Sequence, residues 1–248
     1  MIVVANWKAY VEDANKAKEL FALAKRLAFR TGVSVILAPP APQIGLLLSS
    51  INRSKVRIAA QDVSETTGGA KTGEVSAQIL ANFGVSHVIV GHSERRTRGE
   101  TDAMILEKAK HALAHGLSPI LCIGERERDQ DASYLSLIRS QIAAVFEPLS
   151  QKERMQVLIT YEPVWAIGKT AMESITPHDL TEMVLYLRKV LGEYLPHKAP
   201  GRMQILYGGS VEPTNVRELA ASSGVDGFLV GHASVDAGMF AGIVKALA

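Results

Sequence analysis

Three side chains in this sequence could together move a proton on a bound anion: Lys8, His92 and Glu162. A carboxylate can take a proton from carbon, an imidazole can donate to the oxygen that gains charge, and an ammonium can hold an anion in place. The glycine-bearing turns "YGGSV" (207–211) and "GHAS" (231–234) add backbone N–H groups able to converge on a phosphate, with Ser210 as a further donor. These groups suit proton abstraction beside the carbonyl of a phosphate ester, with Glu162 as base and with Lys8 and His92 on the enediolate oxygens. No dense group of His, Cys and carboxylates has the look of a metal site, and the chemistry calls for neither metal nor cofactor.

Taken singly, each residue has a plainer reading. A carboxylate after a strand is usually solvated, a lysine is usually on the surface, and His92 could do no more than cap a helix. Gly208 and Gly209 could simply turn the chain. The case for chemistry rests on all of them falling at the same end of one set of strands.

Those strands are legible as short β-branched runs: 2–6, 33–38, 56–60, 87–90, 118–123, 157–162, 203–207 and 226–230. Each is nearly continuous in apolar residues rather than alternating, as strands buried on both faces are in parallel sheets. Between them lie helical patterns. Residues 13–28 carry Ala14, Ala17, Leu20, Ala24 and Leu27 at steps of three or four, with Asp13 as cap and Gly32 closing the unit. Residues 76–84 run from a capping Ser to a Gly, 133–148 stop at a proline, and 176–192 open on Thr-Pro and end on Gly. Strands alternating with helices through 248 residues predict an α/β fold, a closed (β/α)₈ barrel in a single domain over 1–248. A doubly wound open sheet is the alternative, but "NWKAY" follows the first strand where that fold usually carries G-x-G-x-x-G. In a barrel the active site lies at the C-terminal strand ends, where Asn6, Lys8, "GHSERR" (91–96), Glu162 and both glycine turns fall.

Composition narrows the partners. The chain is 47% hydrophobic with 27 basic and 25 acidic residues scattered along it, which argues against a nucleic-acid stripe. Cys122 is the only cysteine, so no intrachain disulfide forms and a reducing compartment is expected. "MIVVANWKAY" reads as a strand rather than a signal peptide, and no window is apolar for the roughly 18–20 residues that a membrane span needs. A soluble cytoplasmic protein is the expectation.

The stretches "ANWK", "GHSERR", "CIGE", "YEPVWAIG", "YGGSV" and "DGFLVG", in this order from residue 5 to about 234, closely resemble the triosephosphate isomerase family. The resemblance implies interconversion of dihydroxyacetone phosphate and D-glyceraldehyde 3-phosphate in a homodimer without cofactor. By it, Glu162 is the base that carries the proton between C1 and C2. His92 polarises the carbonyl, Lys8 holds the substrate and balances its charge, Asn6 donates to a substrate oxygen, and Glu94 stands close to Lys8. Gly168, Ser210, Gly231 and the backbone of His232 hold the phosphate. Pro163-Val164-Trp165 resemble the stiff near hinge of a lid and Ala166-Ile167-Gly168 its tip, whose closure would keep the carboxylate dry. Residues 61–76 resemble the family's third loop, which docks into the neighbouring subunit and would carry Thr72 to the partner's site.

Three places depart from the family pattern. "AIGKTAMESITP" lacks the Thr-Gly pair after Gly168, so the far hinge falls at Lys169-Thr170-Ala171 or at Ala171-Met172-Glu173. His232 stands where a second glycine is common. Ala9 replaces a methionine of the subunit interface, and Lys71 an aromatic. Two other functions stay open at this point: an isomerase of a longer ketose phosphate, and a barrel that binds phosphate esters without catalysis.

Overall fold

A strand that is apolar at every position must bury both faces, and closing a sheet on itself is one way to do so. The computed structural model, which describes residues 1–51, 54–169, 174–195 and 203–248, shows that closure. Its strands are β1 (Ile2–Asn6), β2 (Ser34–Ala38), β3 (Arg57–Ala60), β4 (His87–Val90), β5 (Ser118–Ile123), β6 (Leu158–Tyr161), β7 (Ile205–Tyr207) and β8 (Gly227–Val230). They pair in parallel in chain order, and β8 returns to β1 with Val4 opposite Leu229. The closed (β/α)₈ barrel is therefore the observed fold, and the open sheet is excluded.

Helices fill the crossovers: α1 (Ala14–Thr31), α2 (Ala41–Leu48), α3 (Ala77–Phe83), α4 (Ser93–Thr97), α5 (Asp102–Ala114), α6 (Ser133–Phe146), α7 (Gln151–Arg154), α8 (Pro177–Gly192), α9 (Val216–Ser222) and α10 (Ala237–Ala246). Asp13, Ser76 and Thr176 cap α1, α3 and α8 through their side chains, as the sequence predicts. α1 runs on to Thr31 because its stop signal is Gly32, which takes the left-handed conformation at φ 75°. Gly192 does not play that part: it is the last helical residue of α8, and Glu193 follows in a right-handed conformation. No helix among the described residues is long and apolar enough to cross a membrane.

The barrel interior is filled by Val4, Ile36, Ala38, Ala59, Ile89, Ile120, Cys122, Leu158, Leu206 and Leu229. The alternate residues, such as Val3, Val35, Val88 and Ile159, pack outward in the larger core that includes the helices. Strand side chains alternate with a period of two, so the inward set can be continued past the last apolar layer. It falls on Asn6, Pro40, Gln61, Gly91, Gly124, Glu162, Gly208 and Gly231. Four of these eight are glycines, three are polar and one is a proline. The period therefore ends the apolar filling at the C-terminal ends and leaves a hollow edged with polar groups.

Candidate active site

Lys8 has a backbone φ of 47°, in the left-handed region that side-chain-bearing residues rarely occupy. Two contacts hold it there. The Asn6 Oδ1 accepts the Lys8 N–H at 3.1 Å, and the Gln61 amide donates to the Lys8 carbonyl at 2.8 Å. The side chain is then turned so that Nζ donates to Glu94 Oε1 at 2.6 Å. Burial acts to raise the Glu94 carboxyl, but the Lys8 hydrogen bond and charge outweigh it and hold the group below its ordinary pKa. Only 19% of the Lys8 side chain is exposed, so the surface reading of this lysine is excluded.

His92 caps α4. Its Nδ1 accepts the Glu94 N–H at 3.2 Å, which puts the ring proton on Nε2. That atom lies 3.3 Å from Glu162 Oε1. The other oxygen, Oε2, accepts the Ser93 N–H at 3.0 Å. Glu162 is 1% exposed, and Oε1 has no hydrogen-bond partner among the described residues. This is not the solvated carboxylate that a lone Glu after a strand usually is. Its room comes from Gly208, where a β-carbon would lie 2.9 Å from Glu162 Cγ.

Lys8, His92, Gly168, Ser210, Gly231 and His232 border one cavity of about 440 Å³. A β-carbon on Gly231 would stand 3.8 Å from Lys8 Nζ, so the glycine brings this turn close to the ammonium without crowding it. Ser210 Oγ donates to the Lys169 carbonyl at 2.6 Å, tying the turn after β7 to the segment after β6. That segment begins with a short 3-10 turn over Val164–Ala166 and reaches the exposed Gly168 at φ 75°. Asn6 does not border the cavity; it acts on the Lys8 backbone. Glu162 borders a neighbouring cavity of about 430 Å³ with Ser93, Ile123 and Val164, and faces the first across His92. Thr72 is exposed on the 61–76 segment and borders neither. Both placements of a far hinge include residues of 170–173, which lie outside the described residues.

Sequence reasoning missed one cluster. A single oxygen of Glu125, Oε1, accepts from Tyr161 Oη at 2.7 Å, Trp165 Nε1 at 2.9 Å and Arg128 Nε at 3.1 Å. The Arg128 guanidinium sits 5.2 Å from both the Tyr134 and Trp165 rings. The cluster pins the start of the segment that carries Gly168. "CIGE" contains Glu125, and its position two residues past β5 was the available signal. Nearby, burial and the adjacent Glu162 carboxylate push the Cys122 thiol well up. One set of three possible metal ligands occurs among the described residues, His178, Asp179 and Glu182 on α8. None of the three borders the cavity, and Asp179 already accepts the Thr176 hydroxyl at 2.8 Å.

A closed barrel whose C-terminal end sets a carboxylate and an imidazole beside a lysine-lined cavity has the build of a proton-moving enzyme for anionic substrates. Comparison with known proteins makes the class specific. The triosephosphate isomerase family model matches residues 1–247. The triosephosphate isomerase of Ralstonia nicotianae is 41% identical over 249 residues, covering 99% of this chain and 98% of that protein. That of Thermus thermophilus is 39% identical over 251 residues, covering 99% and 98%. That of Symbiobacterium thermophilum is 38% identical over 249 residues, covering 100% and 96%. The chain belongs to the triosephosphate isomerase family.

Proposed function

We propose that this protein interconverts dihydroxyacetone phosphate and D-glyceraldehyde 3-phosphate as an intramolecular aldose–ketose isomerase. Glu162 takes a proton from C1 of the ketose while charge builds on the C2 oxygen. The His92 Nε2–H and the Lys8 ammonium stabilise that oxygen, giving an enediolate. One proton is returned to C2 and the hydroxyl proton passes from O1 to O2, which yields the aldehyde with no change in composition. Asn6 donates to a substrate oxygen, and Glu94 holds Lys8 in place. Backbone N–H groups of Gly168, Gly231 and His232, with Ser210, receive the phosphate.

The observation that carries this reading is the facing pair: a buried carboxylate oxygen without a hydrogen-bond partner among the described residues, 3.3 Å from the Nε2 of a buried imidazole. A barrel that only bound phosphate esters would have no use for a base so placed. Membership of the family favours the three-carbon substrate over a longer ketose.

The segment 163–168 acts as the lid in this reading, and the whole chain as one barrel domain working in the cytoplasm. The protein works as a homodimer. Support for that comes from the exposed part of the 61–76 loop, residues 67–74, and from Ile79 and Phe83, which present apolar side chains 46% and 59% exposed on α3. Thr72 then enters the partner's site near Asn6 and Lys8.

Isomerisation of glyceraldehyde 3-phosphate by the purified protein beside Glu162→Gln tests the assignment. Removing a positioned base lowers the rate by about 10²–10⁴-fold. Equal turnover by the two proteins would remove Glu162 as the base, and an inactive folded wild type would remove the substrate. Sedimentation equilibrium tests the dimer, and a monomer at micromolar concentration would overturn it.

A further inference from the structure

The cavity that receives the phosphate in this reading has a second imidazole on its wall. His232 borders it with Lys8, Lys169 and Ser210, and its side chain is exposed there. The ring stands edge-on to Tyr10, with centroids 5.7 Å apart and planes at 88°. Such a pairing restrains both rings at the mouth of the cavity. No hydrogen bond occupies the His232 ring nitrogens among the described residues, so both remain available to a ligand. A β-carbon on the residue before it, Gly231, would stand 3.8 Å from Lys8 Nζ.

We propose that the His232 imidazole is itself a ligand for the phosphate, cationic when protonated, which makes the affinity for a dianion rise as the pH falls. This rests on the placement of the phosphate in this cavity. The titratable and charged groups around the ring are Tyr10 and Lys8 after β1, His92 after β4, Lys169 after β6 and Glu212 after β7. Among the described residues, Glu212 is the only carboxylate bordering the cavity, while Lys8 is already paired with Glu94. Asp236, four residues beyond His232, is engaged as the cap of α10 and accepts the Met239 N–H at 2.8 Å. The surroundings therefore offer little to compete with an anion for a charged His232. Histidine changes charge between about pH 5 and 8, within the range where the enzyme can be assayed. By linkage, a dianion that binds the protonated ring more tightly also raises its proton affinity, so the two effects have one sign.

The probe is inorganic sulfate, a dianion throughout that range, used as an inhibitor of isomerisation. The expected result is competitive inhibition whose Ki tightens by about tenfold from about pH 8.5 to about pH 5.5, as one charge-assisted contact would give. In His232→Gln the same series is nearly flat. In the wild-type protein the imidazole resonances of His232 titrate at higher pH with sulfate bound than without it. A pH dependence equal in wild type and variant would assign the effect to another group, such as His92, and overturn the proposal. So would a His232 titration that sulfate leaves unmoved, even while sulfate competes. Sulfate that does not compete with substrate at any pH would instead overturn the placement of the phosphate, and the proposal with it.

Discussion

His92 Nε2 and Glu162 Oε1 face each other across 3.3 Å, with side chains only 7% and 2% exposed. Among the described residues neither atom has a hydrogen bond, while the far atom of each group has one. His92 Nδ1 is fixed by the Glu94 N–H and Glu162 Oε2 by the Ser93 N–H, so both anchors come from the first turn of α4. One short helix thus orients an imidazole and a carboxylate toward the same space, and in the proposed reaction these serve as donor and base. Positioning of this kind lowers a barrier because little reorganisation remains when charge develops.

Replacing His92 with Ala should therefore act on turnover more than on binding. The loss of one donor to a developing oxyanion lowers kcat by about 10²–10³-fold, whereas a ground-state carbonyl gains much less from that donor. Steady-state kinetics of His92→Ala should show this fall with KM changed by less than about threefold. A KM that rises by the full factor at constant kcat would make His92 a binding residue only.

Glu94→Gln tests the Lys8 ion pair separately from the fold. Lys8 is mostly buried, but the Glu94 side chain is 56% exposed, and exposed pairs contribute at most about 1 kcal/mol to stability. The thermal midpoint should stay nearly constant. The Lys8 ammonium, held at 2.6 Å in the native protein, loses its charged anchor, and kcat/KM should fall by roughly tenfold. An unchanged kcat/KM would show that the Asn6 and Gln61 contacts to the Lys8 backbone suffice to aim it.

These positions were legible where they followed a local period. Glu162 stands two and four residues beyond Thr160 and Leu158, so the alternation of β6 points it inward, and Asn6 follows Val4 in the same way. Glycine stops were legible for α1 and α3, where the left-handed residue lies just outside the helix. In α8 the capping glycine was misread because Gly192 stays within the last turn. α2 and α10 were not singled out: Gly45, Gly238 and Gly242 interrupt their patterns, and packing on the barrel rather than propensity keeps them helical. The Glu125 cluster was hidden for a different reason. Its members come from the crossover after β5 (125 and 128), the end of β6 (161) and the crossover after β6 (165), and they meet only because β5 pairs with β6, Ile123 opposite Tyr161.

That cluster should be among the more sensitive places in the barrel. Glu125 is 1% exposed, and removing it as Glu125→Ala leaves the Tyr161 hydroxyl, the Trp165 indole N–H and the Arg128 guanidinium without their common acceptor. Breaking a buried charged network from one side costs about 3–5 kcal/mol. Urea unfolding should show a midpoint lowered accordingly, with Glu125→Gln in between because its amide oxygen still accepts. Midpoints that match the wild type in both variants would mean that water replaces the carboxylate without loss.

The acid side of the stability profile should carry the mark of His87, at the N-terminal end of β4. Burial, with the Arg57 charge adding to it, pushes this imidazole down to about 4, whereas in the unfolded chain it titrates near 6.5. Between those values the unfolded state binds more protons than the folded one, so the free energy of unfolding rises with pH. The contribution is complete above about pH 6.5, is lost as the pH falls through that window, and is gone below about 4. Its full size is on the order of 3 kcal/mol. Urea midpoints for wild type and His87→Gln at about pH 7.5 and about pH 4.5 isolate the group, because carboxylates elsewhere affect both proteins alike. The wild type should lose more stability than the variant on acidification. Parallel losses would mean that the folded barrel accepts a proton at His87 as readily as the unfolded chain does.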